Sequence, residues 1–281
     1  MKGIRKIAKE ILKKSPKFYS TIHTMKFENS HKQDFSKLDN KSQKILLEIK
    51  NSGFSIINDF FDKDQCNECI KDMDWMYKNK KELIHGSDNN DLRIFGAEHL
   101  SKNIFDFSRD SFLHSLANAY NSVSTVNGFT LAGKISAIGH EFGSGGPWHR
   151  DSFFRQFKSL MYLTDVDENH GPFQIISGSH LRKNIDLDSK NAGLDSMQCQ
   201  FNQDIVEKIL KEDSSRLKTL TGSAGTVVLV DTSAIHRGYP LKQGNRYALT
   251  NYFFEKTQIN QHLVEHFSPL VSPEKVLELI K

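Results

Sequence analysis

The residues of this 281-residue chain with the clearest chemical potential are Trp148-His149-Arg150-Asp151. In an extended segment, residues i and i+2 project from the same face, so His149 and Asp151 can address one metal ion. The best third ligand is His236, in VDTSAIHRGYP, just after the apolar run TVVLVD. Two imidazoles and one carboxylate form the facial triad of non-haem Fe(II) oxygenases, which leaves positions open for co-substrate and dioxygen. The absence of thiolate from this set disfavours a structural zinc site. An HxD tripeptide alone is common; its setting makes this one informative. Gly143, Gly145, Gly146 and Pro147 precede His149, a β-rich run follows, and His236 closes another such run.

Ten residues after His236 comes Arg246, opening the last long β-run. An arginine there could grip a carboxylate in a bidentate pair, and burial would demand such an anionic partner. Trp148 and Arg155 flank the motif and are candidate substrate contacts, with Arg155 placed to meet an anionic group. His140, His170 and His180 read as structural or exposed rather than as ligands. Cys66 and Cys69 lie one turn apart on an expected helix, but no second Cys or His pair at zinc spacing follows, so they read as core residues.

These residues need rigid elements to position them. Residues 43–51 have a helical pattern, GFSIINDFF (53–61) reads as a strand, and Asp62 or Asp64 can cap a helix through CNECIKDMDWMYKNKKEL. Another helical stretch falls near 108–122. After about residue 129 short β-rich runs take over, at 129–142, 157–166, 172–177, 226–231 and 245–254, separated by turn signals such as GSGGP and TGSAG. Strands without intervening crossover helices predict an antiparallel sandwich: a mainly β protein with flanking helices, a double-stranded β-helix or jelly roll. Residues 181–220 form an expected insertion containing a helix at 203–212.

Size and composition fit one large domain at 43–281 after a polar linker and a basic N-terminal segment (1–42). No apolar stretch reaches the roughly 18 residues of a membrane span, and residues 1–14 lack a secretory signal's apolar run. Three cysteines fit a reducing cytoplasm. The net charge is +4, yet residues 1–30 carry eight Lys and Arg against two Glu. The body is therefore slightly acidic and shows no basic stripe for nucleic acid. Ile4, Ile7, Ala8, Ile11 and Leu12 line one face of a basic amphipathic helix over 2–14. Such a helix suits either the anionic surface of a membrane or docking on the body.

From Gly53 to Phe254 the chain resembles the phytanoyl-CoA dioxygenase family of iron- and 2-oxoglutarate-dependent oxygenases. The motifs are GFSIINDFFDKDQC, PWHRD, DENHGPFQIISGSH and IHRGYPLKQGNRYALTNYFF. The resemblance implies a jelly roll binding Fe(II) through His149, Asp151 and His236. It also implies that Arg246 holds the far carboxylate of 2-oxoglutarate, with dioxygen as the other co-substrate. Many members have a Ser two residues after the distal His to assist; here that position is Gly238. Lys134 or Ser136 are candidates to replace it. Asp151 stands where halogenating relatives have a small residue, so hydroxylation is the expected reaction. The expected substrate is a small molecule or a lipid-linked cell-envelope or glycan precursor. A cupin-like metal protein that binds or isomerises a sugar without dioxygen is the alternative, and the Arg246 spacing argues against it.

Overall fold

A computed structural model describes residues 35–86, 90–137, 146–194, 198–255 and 259. The expected helix at 2–14 and His140 lie outside these residues. The chain enters through α1 (Asn40–Ser52), whose N-cap Asp39 accepts a hydrogen bond from the Ser42 amide and whose end is marked by Gly53 at φ +90°. Strand β1 (Phe54–Ile57) leads into α2 (Lys63–Asn79), opened by a reciprocal capping box between Asp62 and Gln65. Then come β2 (Asp91–Phe95), α3 (Lys102–Ser108), α4 (Ser111–Asn121) and β3 (Thr125–Ser136). After the HxD motif follow β4 (Phe157–Tyr162), β5 (Phe173–Ile176), α5 (Arg182–Ala192), α6 (Gln203–Leu210) and β6 (Leu217–Leu220). The chain continues with β7 (Val227–Asp231), β8 (His236–Gly238) and β9 (Asn245–Glu255).

The strands form two antiparallel sheets in the orders β1-β7-β4-β9-β3-β2 and β6-β5-β8. This is the expected mainly β jelly roll with flanking helices. The outer face of the large sheet packs on the helices through Met73, Met76, Ile94, Phe107, Leu116 and Leu249. The inner faces of the two sheets meet through Tyr162, Phe173, Ile175, Leu220, Val228 and Val230. Strands β4 and β7 are buried on both faces, which explains why FKSLMY and VVLVD show no polar alternation.

Several boundaries depart from the sequence pattern. The stretch near 108–122 is two helices, because Asp110 caps a new one through the Leu113 amide. Strand β2 and strand β6 have no apolar alternation to announce them. Both are edge strands, and Leu217, Lys218 and Thr219 of β6 are all exposed. The insertion therefore ends before 217 and carries two helices. Cys66 and Cys69 are buried, and burial pushes their thiols up to about 11 and about 12, as inert core residues require. At Gly225 a side chain would meet the Phe61 carbonyl, and φ is +89°, so only glycine closes this turn.

Glu98 is a buried carboxyl whose Oε2 accepts the Thr130 amide at 2.9 Å. Burial pushes its pKa from 4.5 up to about 7, partly opposed by the Thr130 hydrogen bond and the Arg109 charge. The folded state then holds this proton more tightly than the unfolded chain, so stability falls as pH rises from about 4.5 to 7. Glu98→Gln, which mimics the protonated acid, is expected to remove this loss. Urea denaturation at pH 8 should show a gain on the order of 3 kcal/mol over wild type, shrinking towards pH 4.5.

Candidate metal centre

His149 and His236 are directly opposed across an antiparallel pair. Each backbone amide donates to the other's carbonyl, both at 2.9 Å. Directly opposed residues present their side chains on one face, and the two imidazole rings stand 4.4 Å apart between centroids. Asp151, two residues on, returns to the same face, and its amide donates to the Thr232 carbonyl at 3.0 Å. His149 Nε2 lies 3.5 Å from Asp151 Oδ1, and His236 Nε2 lies 3.8 Å from Asp151 Oδ2. One ligand atom from each residue falls within 4.8 Å of the others.

The protonation of the rings follows from their partners. His149 Nδ1 sits 2.9 Å from the Pro147 carbonyl and His236 Nδ1 sits 2.9 Å from the Ala234 carbonyl. A carbonyl only accepts, so each Nδ1 carries a proton and each Nε2 is the atom turned towards Asp151. Burial pushes the His236 pKa down to about 4, against the pull of Asp151, so this ring is neutral at physiological pH. Phe173 stacks on it at 5.1 Å. This donor set fits a divalent cation of the iron type.

Lys158, on β4, completes the charge of the site. Its Nζ is 2.5 Å from Asp151 Oδ2 and 3.7 Å from the Tyr252 ring centroid. Burial alone would raise the Asp151 pKa, but the Lys158 ammonium holds its carboxyl well below the usual range. Sequence reasoning misses this residue. Its signal is a lysine inside the apolar run FKSLMYL: a strand buried on both faces must pair any cation it carries.

Arg246 is 6% exposed and projects from β9 into the sandwich, on the face shared by Ala248, Thr250 and Tyr252. Among the described residues its guanidinium has no hydrogen-bond or ion-pair partner. Gly171, at φ +64°, brings the loop before β5 so close that a side chain there would meet the Tyr239 carbonyl and crowd Arg246 Nη1. The register of β3 and β9 pairs Lys134 with Tyr247, on the opposite, helix-facing side. There Lys134 binds Asp74 at 3.2 Å. Ser136 shares that side, so neither residue replaces the missing serine. Trp148 is also corrected: it is buried, its indole donates to Gln203, and Arg237 lies 4.4 Å over its ring. Arg155 packs over Tyr120 at 5.1 Å, on the helix side, rather than across the metal face. His180 is held by the Lys50 carbonyl and His170 by Asp167, as structural residues.

Two braces, one of backbone and one of a buried carboxylate, hold the segments that bear these residues. Residues 199–201 run along the HxD segment, with Arg150 N donating to Cys199 O and Phe201 N to Trp148 O. On the other side the buried Asp231 carboxylate accepts from Gln156 N, Ser233 N, Ser233 Oγ and Tyr120 Oη. It thereby ties the segment after Asp151 to the turn before His236.

The chain matches the phytanoyl-CoA dioxygenase family over residues 49–245, a span that includes His149, Asp151 and His236 and ends one residue before Arg246. No curated protein matches it in sequence. Among solved structures it is similar to EctD from S. alaskensis in its apoform, at 14% identity and a TM-score of 0.61, covering 80% of each chain. The epimerase SnoN of nogalamycin biosynthesis, solved with Fe3+ and alpha ketoglutarate, gives 13% identity and a TM-score of 0.60 over 77% of this chain and 84% of that one. The carbocyclase SnoK of the same biosynthesis gives 13% identity and 0.58 over 85% and 93%. The match over most of its length places this protein in the phytanoyl-CoA dioxygenase family. It is an iron- and 2-oxoglutarate-dependent oxygenase, with dioxygen as the second co-substrate.

Asp231→Ala strips the acceptor from four donors and is expected to cost about 3 kcal/mol in urea denaturation, with a matching loss of metal affinity. Tyr120→Phe removes one donor and should cost about 1 kcal/mol, leaving metal affinity near wild type.

Proposed function

We propose that the protein hydroxylates an organic substrate, with iron held by His149, Asp151 and His236 and the far carboxylate of 2-oxoglutarate held by Arg246. The observation that carries this reading is the convergence of one ligand atom from each of His149, Asp151 and His236 within 4.8 Å. Bound iron would supply the redox chemistry that couples oxidative decarboxylation of 2-oxoglutarate to substrate oxidation. The chain supplies the rest. Backbone carbonyls of Pro147 and Ala234 orient the two rings, and Phe173 shields His236. Arg246, buried with no anionic partner among the described residues, supports the dicarboxylate reading, since an isolated buried charge is costly. Retention of Asp151 favours hydroxylation over halogenation. The sugar-isomerising alternative offers no use for this arginine.

The finer substrate reading rests on the sequence pattern of residues 1–14. A basic amphipathic segment there supports a lipid-linked cell-envelope or glycan precursor, met at the anionic inner face of a membrane. No described helix is long and apolar enough to cross a membrane.

Asp151→Ala and His236→Ala are expected to abolish succinate formation from 2-oxoglutarate; retained turnover in a folded His236→Ala protein removes that residue from the ligand set. Arg246→Gln should raise the KM for 2-oxoglutarate roughly 10- to 100-fold, as expected for a lost charge-assisted pair. In flotation with anionic liposomes, deletion of residues 1–20 should abolish binding; equal binding by both forms counts against the membrane reading.

A further inference from the structure

The oxygenase reading assigns no role to Lys158. This side chain is 5% exposed and projects from β4 onto the inner face of the large sheet, opposite Tyr252 of β9 and Val230 of β7. Its ammonium is fixed twice, by Asp151 Oδ2 at 2.5 Å and by the Tyr252 ring at 3.7 Å. Orienting the carboxylate needs only a hydrogen-bond donor, which a neutral side chain could provide. An ammonium adds a full charge, in a site where burial leaves charges poorly screened.

That charge acts in opposite directions on the two groups the centre must gather. Lys158 cancels the negative charge of Asp151, and the two imidazoles are neutral ligands. A divalent cation therefore meets a pocket with no net negative charge and keeps its own charge once bound. A dianionic oxo-acid arriving next meets the undiminished positive field of the cation and Lys158. With a neutral residue at 158, Asp151 would draw the cation more strongly and leave less charge for the dianion.

We propose that Lys158 sets the charge of the centre, weakening divalent-metal binding and strengthening binding of the dianionic 2-oxoglutarate. The proposal rests on the metal-centre reading above. A residue that merely props Asp151 would behave differently, because its loss would disorder the ligand and weaken both affinities together.

The test compares full-length wild type, Lys158→Met and Lys158→Arg under anaerobic conditions. Co(II) affinity is read from visible absorption in competition with a chelator. The affinity for 2-oxoglutarate is read from the absorption it produces on the Fe(II)-loaded protein. Circular dichroism checks folding, and Lys158→Gln replaces the Met variant if that one does not fold. The Met or Gln variant is expected to bind Co(II) about tenfold more tightly and 2-oxoglutarate about tenfold more weakly, while Lys158→Arg stays within about threefold of wild type in both. Any pattern other than these opposed shifts overturns the proposal. Wild-type protein that binds neither Co(II) nor 2-oxoglutarate removes the metal centre itself, a result distinct from failure of the Lys158 role.

Discussion

The structure depends on one backbone contact, the antiparallel exchange of hydrogen bonds between His149 and His236. Each bond is worth only about 1 kcal/mol net, yet together they force two side chains far apart in sequence onto one face. A slip of one residue on either strand would turn an imidazole to the opposite side, because side chains alternate with a period of two. The surrounding architecture resists that slip. Residues 199–201 line one side of the HxD segment, and Arg150 donates to the Ser179 and Ser233 carbonyls behind it. The Asp231 carboxylate gathers donors from both ligand-bearing segments and from α4.

The second constraint is electrostatic. The inside of a β-sandwich is a poor place for charge, and this one holds Lys158 and Arg246, the first paired with the partly exposed Asp151 carboxylate. Lys158 and Asp151 answer one another. Arg246 has no such answer among the described residues, while Tyr162 and Asp91 only partly offset the burial that lowers its pKa. A buried cation left unanswered among the described residues calls for an anion. That asymmetry, a neutralised pair at the metal and a lone cation further along β9, matches a chelating dicarboxylate better than a neutral sugar.

Family membership and fold agree on the cofactors but not on the outcome of the reaction. The similar structures include an epimerase and a carbocyclase. His149, Asp151 and His236 by themselves do not choose among these outcomes. The parts of this protein that position iron are therefore more readily read than the parts that select what is oxidised.

Much of the site was legible because metal ligation is nearly alone in calling for these residue types at this spacing. The HxD pair, a histidine closing an apolar strand and an arginine opening the next together suggest a metal centre, as the doubly apolar runs suggest the sandwich. The polar edge strands β2 and β6 were not legible, since edges need no apolar alternation. Lys134, Ser136, Trp148 and Arg155 were misplaced for a shared reason: nearness to the motif in sequence says nothing about which face a strand residue takes. Sequence by itself determined the ligand types, the antiparallel β class and the capped helices, all of which follow from short-range chemistry. Only the tertiary structure decided that Lys158 faces Asp151, that Asp231 braces both ligand segments and that Lys134 turns to the helices, because cross-strand register joins residues that no local rule connects.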